Sequence, residues 1–209
     1  MPQFQTHDGK DIDTVEQLVL TLLEGKRDGY FVEIGAFHSK DHSTTYNLEK
    51  SYGWKGLAVE MIPSRAEEYN QNRNAYCMTD DGSKADYRKY FVDSNWPEQL
   101  DFLSIDVDFS PEFIALQTLI NIPLSTYRFN VIMFEHSSMM STRNKLIREI
   151  SEHILESYGY TRIIDDPMDD IWVDAKALKP QIYNPLRQQN IYKTDNNAMS
   201  EPYDDRVVM

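Results

Sequence analysis

Acidic side chains and one histidine lie at the points where two predicted strands end. Asp106 and Asp108 are two residues apart after one apolar run, and Glu135 and His136 follow another. Carboxylates with one imidazole suit Mg²⁺ or Mn²⁺, and a bound dication would acidify a substrate hydroxyl. A metal-free alternative takes His136, His38 or Asp106 as the general base. The purely structural alternative is that Asp106 and Asp108 cap the next helix and that His136 is hydrogen-bonded at a strand end.

A second group of residues surrounds a predicted glycine turn. Gly35 and Ala36 have no large side chain where the chain turns, so a ligand can approach the backbone closely. Glu60 ends the next predicted strand, where a carboxylate can accept both hydroxyl protons of a ribose. No second glycine follows at the dinucleotide spacing, which argues against a pyrophosphate. S-adenosylmethionine, an adenosine with a zwitterionic tail, fits better, with Glu33 attracting its amino group. Taken singly, Glu33 and Gly35 would be an edge charge and an ordinary turn.

The elements that must position these residues alternate along the chain. Aromatic and β-branched runs predict buried strands, and apolar residues at helical spacing predict helices between them. This alternation is typical of a mostly parallel sheet covered on both faces, with ligands at the carboxyl ends of the strands. The last two strands are separated by a short polar turn and should pair as an antiparallel hairpin. We predict strands at 30–36, 56–60, 75–78, 101–107, 129–134, 160–164 and 171–173. We predict helices at 13–23, 43–52, 63–73 and 142–158, and one more helix that begins at Ser110.

The length of 209 residues suits one well-buried core. We expect a single domain over residues 1–179 that includes the N-terminal helix. From about Pro180 the sequence is polar and lacks periodicity, which predicts an extended tail over 180–209.

The charge balance excludes several partners. The net charge is −13, and no run of Lys and Arg forms a basic stripe, so we expect neither nucleic acid nor an anionic membrane as a partner. The single cysteine, Cys77, cannot form an internal disulfide, and the N-terminus lacks a basic and apolar leader. A cytoplasmic location is therefore expected.

Five segments, taken together, resemble the FkbM family of S-adenosylmethionine-dependent methyltransferases. The order and spacing of these segments make the resemblance more specific than any one motif, and it extends over about residues 29–174. The segments are Phe31–Ala36, Ser43–Lys50, Gly53–Glu60, Leu103–Asp108 and Ile132–His136.

The resemblance implies an α/β class I methyltransferase fold, which is Rossmann-like, with a mostly parallel seven-stranded sheet and a C-terminal antiparallel hairpin. It implies that Glu33, Gly35 and Ala36 form the cofactor loop and that Glu60 is the ribose partner. It also implies further cofactor contacts: Met61 against the adenine, Asp80 or Asp81 at the adenine edge, and Ser43 and Thr45 at the methionyl carboxylate. The sequence departs from the family pattern in two places. His38-Ser39 stands where the family often has Asp-Gly shortly after Gly-Ala, and Phe109 stands where the family often has a glycine after Asp-Val-Glu.

We therefore expect an S-adenosylmethionine-dependent O-methyltransferase that acts on a hydroxyl of a glycan or small molecule, with or without a metal. One alternative is a nucleotide-sugar glycosyltransferase that uses Asp106-Val107-Asp108 as a metal clamp. Another is a non-catalytic scaffold with the same fold. The C-terminal tail, with Tyr183, Tyr192 and Tyr203, could support a homo-oligomer.

Overall fold

A seven-stranded sheet organises the described part of the chain. The computed structural model describes residues 4–5, 11–12, 14–107 and 113–189. A two-stranded ribbon of β1 (Phe4–Gln5) and β2 (Asp11–Ile12) precedes the sheet. The strands of the sheet are β3 (Tyr30–Ile34), β4 (Lys55–Glu60), β5 (Tyr76–Thr79), β6 (Gln99–Ile105), β7 (Arg128–Glu135), β8 (Tyr160–Asp165) and β9 (Asp169–Asp174).

The order across the sheet is β5-β4-β3-β6-β7-β9-β8. Strands β3 to β7 pair in parallel, whereas β9 is antiparallel to both β7 and β8. The predicted mostly parallel sheet with a C-terminal antiparallel hairpin is confirmed. The strand order reverses between β3 and β6, so the ligand crevice of this fold is expected beside the ends of those strands.

Helices cover both faces of the sheet. Thr14 Oγ1 accepts a hydrogen bond from Gln17 N and caps the start of the first helix. Gly53 ends the second helix in the left-handed conformation, with φ of +75°. The helices are α1 (Val15–Leu22), α2 (Tyr46–Tyr52), α3 (Pro63–Asn72), α4 (Tyr87–Asp93), α5 (Ile114–Asn121), α6 (Thr142–Ser157) and α7 (Pro180–Gln189).

Two apolar clusters lie on opposite faces of the sheet. Alternation along β3 sends Phe31 into the cluster under α1, α2 and α3, and sends Val32 and Ile34 into the cluster under α4, α5 and α6. Both faces of the parallel strands are therefore buried, which explains their nearly continuous apolar sequences.

Two helices differ from the predictions. α4 lies between the predicted strands at 75–78 and 101–107, where no helix is predicted. Its N-cap Asp86 accepts a hydrogen bond from Lys89 N, and Tyr87 and Phe91 are buried one turn apart. α7 occupies the first part of the predicted extended tail. Its side chains Tyr183 and Leu186 are buried, and it packs against β8. Residues 190–209, and the predicted helix start at residues 110–112, lie outside the described residues. Among the described residues, no helix combines the length and the apolar character needed to cross a membrane.

Candidate functional site

A cleft of about 410 Å³ opens at the carboxyl ends of β3, β4, β5 and β6. Its size is within the usual range for small-molecule sites. Six of the residues predicted to form a site line this cleft. They are Gly35, Glu60, Met61, Asp80, Asp81 and Asp106.

Gly35 brings two backbone segments together at the floor of the cleft. Asp106 N donates to the Ile34 carbonyl at 3.0 Å, and Gly35 N donates to the Val59 carbonyl at 2.9 Å. Gly35 has φ of +85°, and a Cβ atom placed there would lie 1.7 Å from the Asp106 carbonyl oxygen. Only glycine fits, because the ends of β3 and β6 pack backbone to backbone at this point. Ala36, by contrast, is buried in the apolar cluster under α1 to α3.

Glu60 joins the loops that follow β3 and β4. Its Oε2 accepts from Phe37 N at 2.9 Å, and its Oε1 accepts from Ile62 N at 2.8 Å. Each carboxylate oxygen can accept a further hydrogen bond. Glu60 can therefore hold both loops and still receive the hydroxyls of a ligand.

Met61 and Asp80 form one wall of the cleft. Met61 is apolar, yet it is 66% exposed. Asp80 Oδ1 accepts from Asp81 N at 2.8 Å, which leaves its other carboxylate oxygen available. The carboxylate of Asp81 instead accepts from Lys84 and Ser83, and these hydrogen bonds lower its pKa. Of the two aspartates, Asp80 thus retains the more available carboxylate oxygen.

Three predicted cofactor residues lie behind the cleft rather than in its lining. Glu33 is buried, and its carboxylate accepts from Ser43 Oγ at 2.9 Å, from Thr44 N at 2.9 Å and from Thr45 Oγ1 at 2.6 Å. Burial raises the pKa of Glu33, while the hydrogen bond from Thr45 and the charge of Arg73 oppose that rise. In this structure Glu33, Ser43 and Thr45 therefore shape the loop between β3 and α2.

The buried guanidinium of Arg73 anchors the same loop. Its Nη1 donates to the Ser39 carbonyl at 2.8 Å, its Nη2 to Thr45 Oγ1 at 3.1 Å, and its Nε to Glu49 Oε2 at 3.0 Å. From the other side, Glu68 accepts from Ser39 N and Ser39 Oγ. Sequence reasoning missed Arg73, because an arginine just past a helix is usually a solvated residue.

Phe37, His42 and Arg65 also line the cleft without having been predicted as site residues. The Arg65 guanidinium lies 3.6 Å from the centre of the Phe37 ring. His42 has φ of +67° and is exposed on the anchored loop. His38, predicted as a possible base, is exposed on the same loop with its ring edge against Phe37, and it does not line the cleft.

Asp106 lines the cleft, and it interacts electrostatically with Glu135 at the end of β7. Burial, and then Asp106, raise the pKa of Glu135 to about 9. Burial and the charge of Asp106 also raise the pKa of Asp169 to about 7. Asp169 is the register partner of Glu135 across β7 and β9. Of these three carboxylates, Asp106 is the one that lines the cleft.

His136 lies on the opposite face of the strand end from Glu135. Its Nδ1 accepts from Ser138 N at 3.0 Å, and its Nε2 lies 3.5 Å from Asp170 Oδ2. Asp170 is also held by Arg148, whose Nη2 donates to Oδ1 at 2.8 Å. His136 is fully buried in this charged group.

The predicted metal ligands are not brought together among the described residues. Asp106 meets Glu135, but His136 is directed to Asp170, and Asp108 lies outside the described residues. In the part of the chain that is described, no three His, Cys, Asp or Glu side chains are placed to hold a metal ion. The physical reason is strand alternation, which sends the adjacent side chains of Glu135 and His136 to opposite faces.

No protein-family model and no curated protein sequence matches the chain significantly. Among solved structures, the chain is similar to a Clostridium thermocellum protein assigned as an rRNA methylase, with 10% identity, a TM-score of 0.50, and coverage of 78% of this chain and 98% of that one. It is also similar to the METTL16 methyltransferase domain, with 12% identity, a TM-score of 0.50, and coverage of 81% and 84%. A TehB-like SAM-dependent methyltransferase from Corynebacterium glutamicum has 14% identity and a TM-score of 0.48, with coverage of 80% and 90%. At such identities the likeness concerns the fold alone. The chain has the class I fold of S-adenosylmethionine-dependent methyltransferases.

Proposed function

We propose that this protein binds S-adenosylmethionine in the cleft and transfers its methyl group to a hydroxyl oxygen of a glycan or small molecule. One observation carries the proposal: a single cleft at the carboxyl ends of β3 to β6 is lined both by the glycine turn at Gly35 and by the carboxylate of Glu60. In this fold, a carboxylate at that strand end suits a ribose.

The lining supplies complementary groups for each part of the cofactor. Glu60 would accept the ribose hydroxyls, Met61 would cover the adenine, and Asp80 would accept from the adenine amino group. A cationic sulfonium gains from a lining that contains the carboxylates of Glu60, Asp80, Asp81 and Asp106.

Asp106 is the best-placed base for the transfer. Bound S-adenosylmethionine supplies an electrophilic methyl group. Asp106 would hold the acceptor hydroxyl in line with that methyl group and take up its proton as the new C–O bond forms and the C–S bond breaks. Orientation of the two reactants contributes most of the acceleration in such a scheme.

The acceptor class rests on two supports. The resemblance to the FkbM family favours a hydroxyl of a sugar or small molecule. The acidic lining and the net charge of −13 disfavour polyanionic acceptors such as nucleic acid.

Isothermal titration calorimetry of the full chain with S-adenosylhomocysteine tests the cofactor site. We expect binding, and we expect Glu60→Gln to weaken it about tenfold, because the amide loses one charged acceptor. Glu67→Gln is the matched control, since Glu67 is exposed on α3 and does not line the cleft. Absence of binding at millimolar ligand would overturn the proposal.

The same preparation separates the alternatives. Metal-dependent binding of a nucleoside diphosphate, without a response to S-adenosylhomocysteine, would favour the glycosyltransferase. Binding of S-adenosylhomocysteine with no methyl transfer across a broad panel of hydroxyl acceptors would favour the non-catalytic scaffold.

A further inference from the structure

The cleft lining contains one guanidinium among several carboxylates. Among the described residues that line the cleft, Arg65 in the first turn of α3 is the only Lys or Arg. Glu60, Asp80, Asp81 and Asp106 contribute negative charge around the same space. A lone cation in such a lining favours a ligand that carries one anionic group next to positive charge.

The Arg65 guanidinium is held by stacking rather than by a carboxylate. It lies 3.6 Å from the centre of the Phe37 ring and is half-buried. Its side chain forms no hydrogen bond or ion pair with the described residues. A guanidinium stacked by its face keeps its N–H donors free at the edge, in the fork geometry that binds a carboxylate through two bonds.

The backbone of Phe37 is held in place. Phe37 N donates to Glu60 Oε2 at 2.9 Å, so the carboxylate expected to bind ribose also holds the backbone from which the ring under Arg65 projects. Stacking on that ring reduces the side-chain freedom that Arg65 would lose when it binds an anion.

Other candidate partners for the methionyl carboxylate are already engaged. The resemblance implies Ser43 and Thr45 for that role, but both hydroxyls donate to Glu33 and both accept from Arg73. Arg65 retains its donors, and it lines the cleft together with Gly35.

We propose that Arg65, stacked on Phe37, recognises the α-carboxylate of the cofactor's methionyl group. This inference rests on the proposed function, because it assigns a selectivity role within the same cleft. A phosphate ester would suit the site less well, since a second negative charge would face the surrounding carboxylates.

A pair of ligands that differ only in the carboxylate tests the proposal. The probes are S-adenosylhomocysteine and its decarboxylated analogue, which keeps the adenosine, the thioether and the amine. Calorimetry on the full chain should show that Arg65→Ala weakens S-adenosylhomocysteine about 10- to 100-fold, the range for a charge-assisted hydrogen-bonded pair. The same substitution should leave the decarboxylated analogue unchanged or bound more tightly, because it removes a positive charge near its amine.

Two further variants complete the design. Arg65→Lys keeps the charge without the planar fork and should recover part of the affinity for S-adenosylhomocysteine. Arg88→Ala removes the same charge from an exposed position on α4 that does not line the cleft, and it should change neither affinity. Thermal melting followed by circular dichroism establishes that each variant is folded.

The outcomes are distinct. Equal weakening of both ligands by Arg65→Ala, or affinity for S-adenosylhomocysteine within about twofold of the unsubstituted chain, would overturn the role of Arg65 and leave the proposed cofactor site intact. Failure of the unsubstituted chain to bind S-adenosylhomocysteine would overturn both proposals.

Discussion

Replacement of the buried Arg73 is expected to destabilise the protein strongly. Arg73→Met keeps an apolar stem of similar length beside Tyr69, but it removes the cation that faces Glu49 and lies near Glu33. Removal of one partner from a buried ion pair costs about 3–5 kcal/mol of unfolding free energy, because the other charge stays buried. We expect a loss within this range.

The local contacts place the expected loss near the lower end of that range. Glu49 would keep its hydrogen bonds from Asn74 N at 3.0 Å and Ala75 N at 3.1 Å, and its ion pair with Lys50 at 2.9 Å. These partners still neutralise much of its charge. We therefore expect about 3 kcal/mol, with the loss due mainly to the unpaired polar groups of the loop between β3 and α2.

Urea unfolding followed by circular dichroism at pH 7 measures this loss. A double-mutant cycle with Glu49→Gln isolates the coupling between the two residues, which should be at least about 1 kcal/mol. Arg88→Met is the matched control. Arg88 is exposed, with one hydrogen bond to Thr126, so its replacement should cost less than about 0.5 kcal/mol. A loss for Arg73→Met no larger than that of the control would refute this account of the loop.

Two other substitutions test the carboxylate pair and the last helix. The pKa of Glu135 is about 9 in the folded protein against 4.5 for the ordinary group, so between these values only the folded state keeps the proton. The contribution of Glu135 to the unfolding free energy should then fall as pH rises, by up to about 1.4 kcal/mol per pH unit. Glu135→Gln should reduce the slope to the part that other groups, such as Asp169, contribute. An equal change in unfolding free energy between pH 6 and pH 8 for the two chains, measured by urea unfolding, would contradict the assignment. Leu186→Ala should cost about 2–5 kcal/mol, because Leu186 is a buried residue of α7. Gln181→Ala, at an exposed position of α7, should cost little. Equal melting temperatures for the two variants would show that α7 is not part of the folded core.

The sheet could be predicted from the sequence because its strands are buried on both faces. Runs such as 30–34 and 129–134 are apolar enough to be recognised without any knowledge of their neighbours. α4 was missed because Arg88 and Lys89 interrupt its short buried face. α7 was missed because Pro185 lies within it, and proline usually ends a helix.

The site was only partly predictable, for a different physical reason. Alternation along a strand shows which residues share a face, but not which face meets the ligand. Gly35, Glu60 and Asp106 line the cleft, whereas Glu33 points into the interior and bonds to the loop above it. The opposite orientations of Glu135 and His136 were available from the sequence, since neighbouring strand residues cannot face the same side.

The anchoring of the loop between β3 and α2 has a consequence for the kinetics of binding. Arg73, Glu33 and Glu68 hold this loop through hydrogen bonds, so much of its conformational entropy is lost when the chain folds and not when a ligand arrives. The entrance to the cleft is thus preorganised. Ligand association should therefore not require this loop to become ordered. Differences in affinity among ligands should appear mainly in their dissociation rate constants.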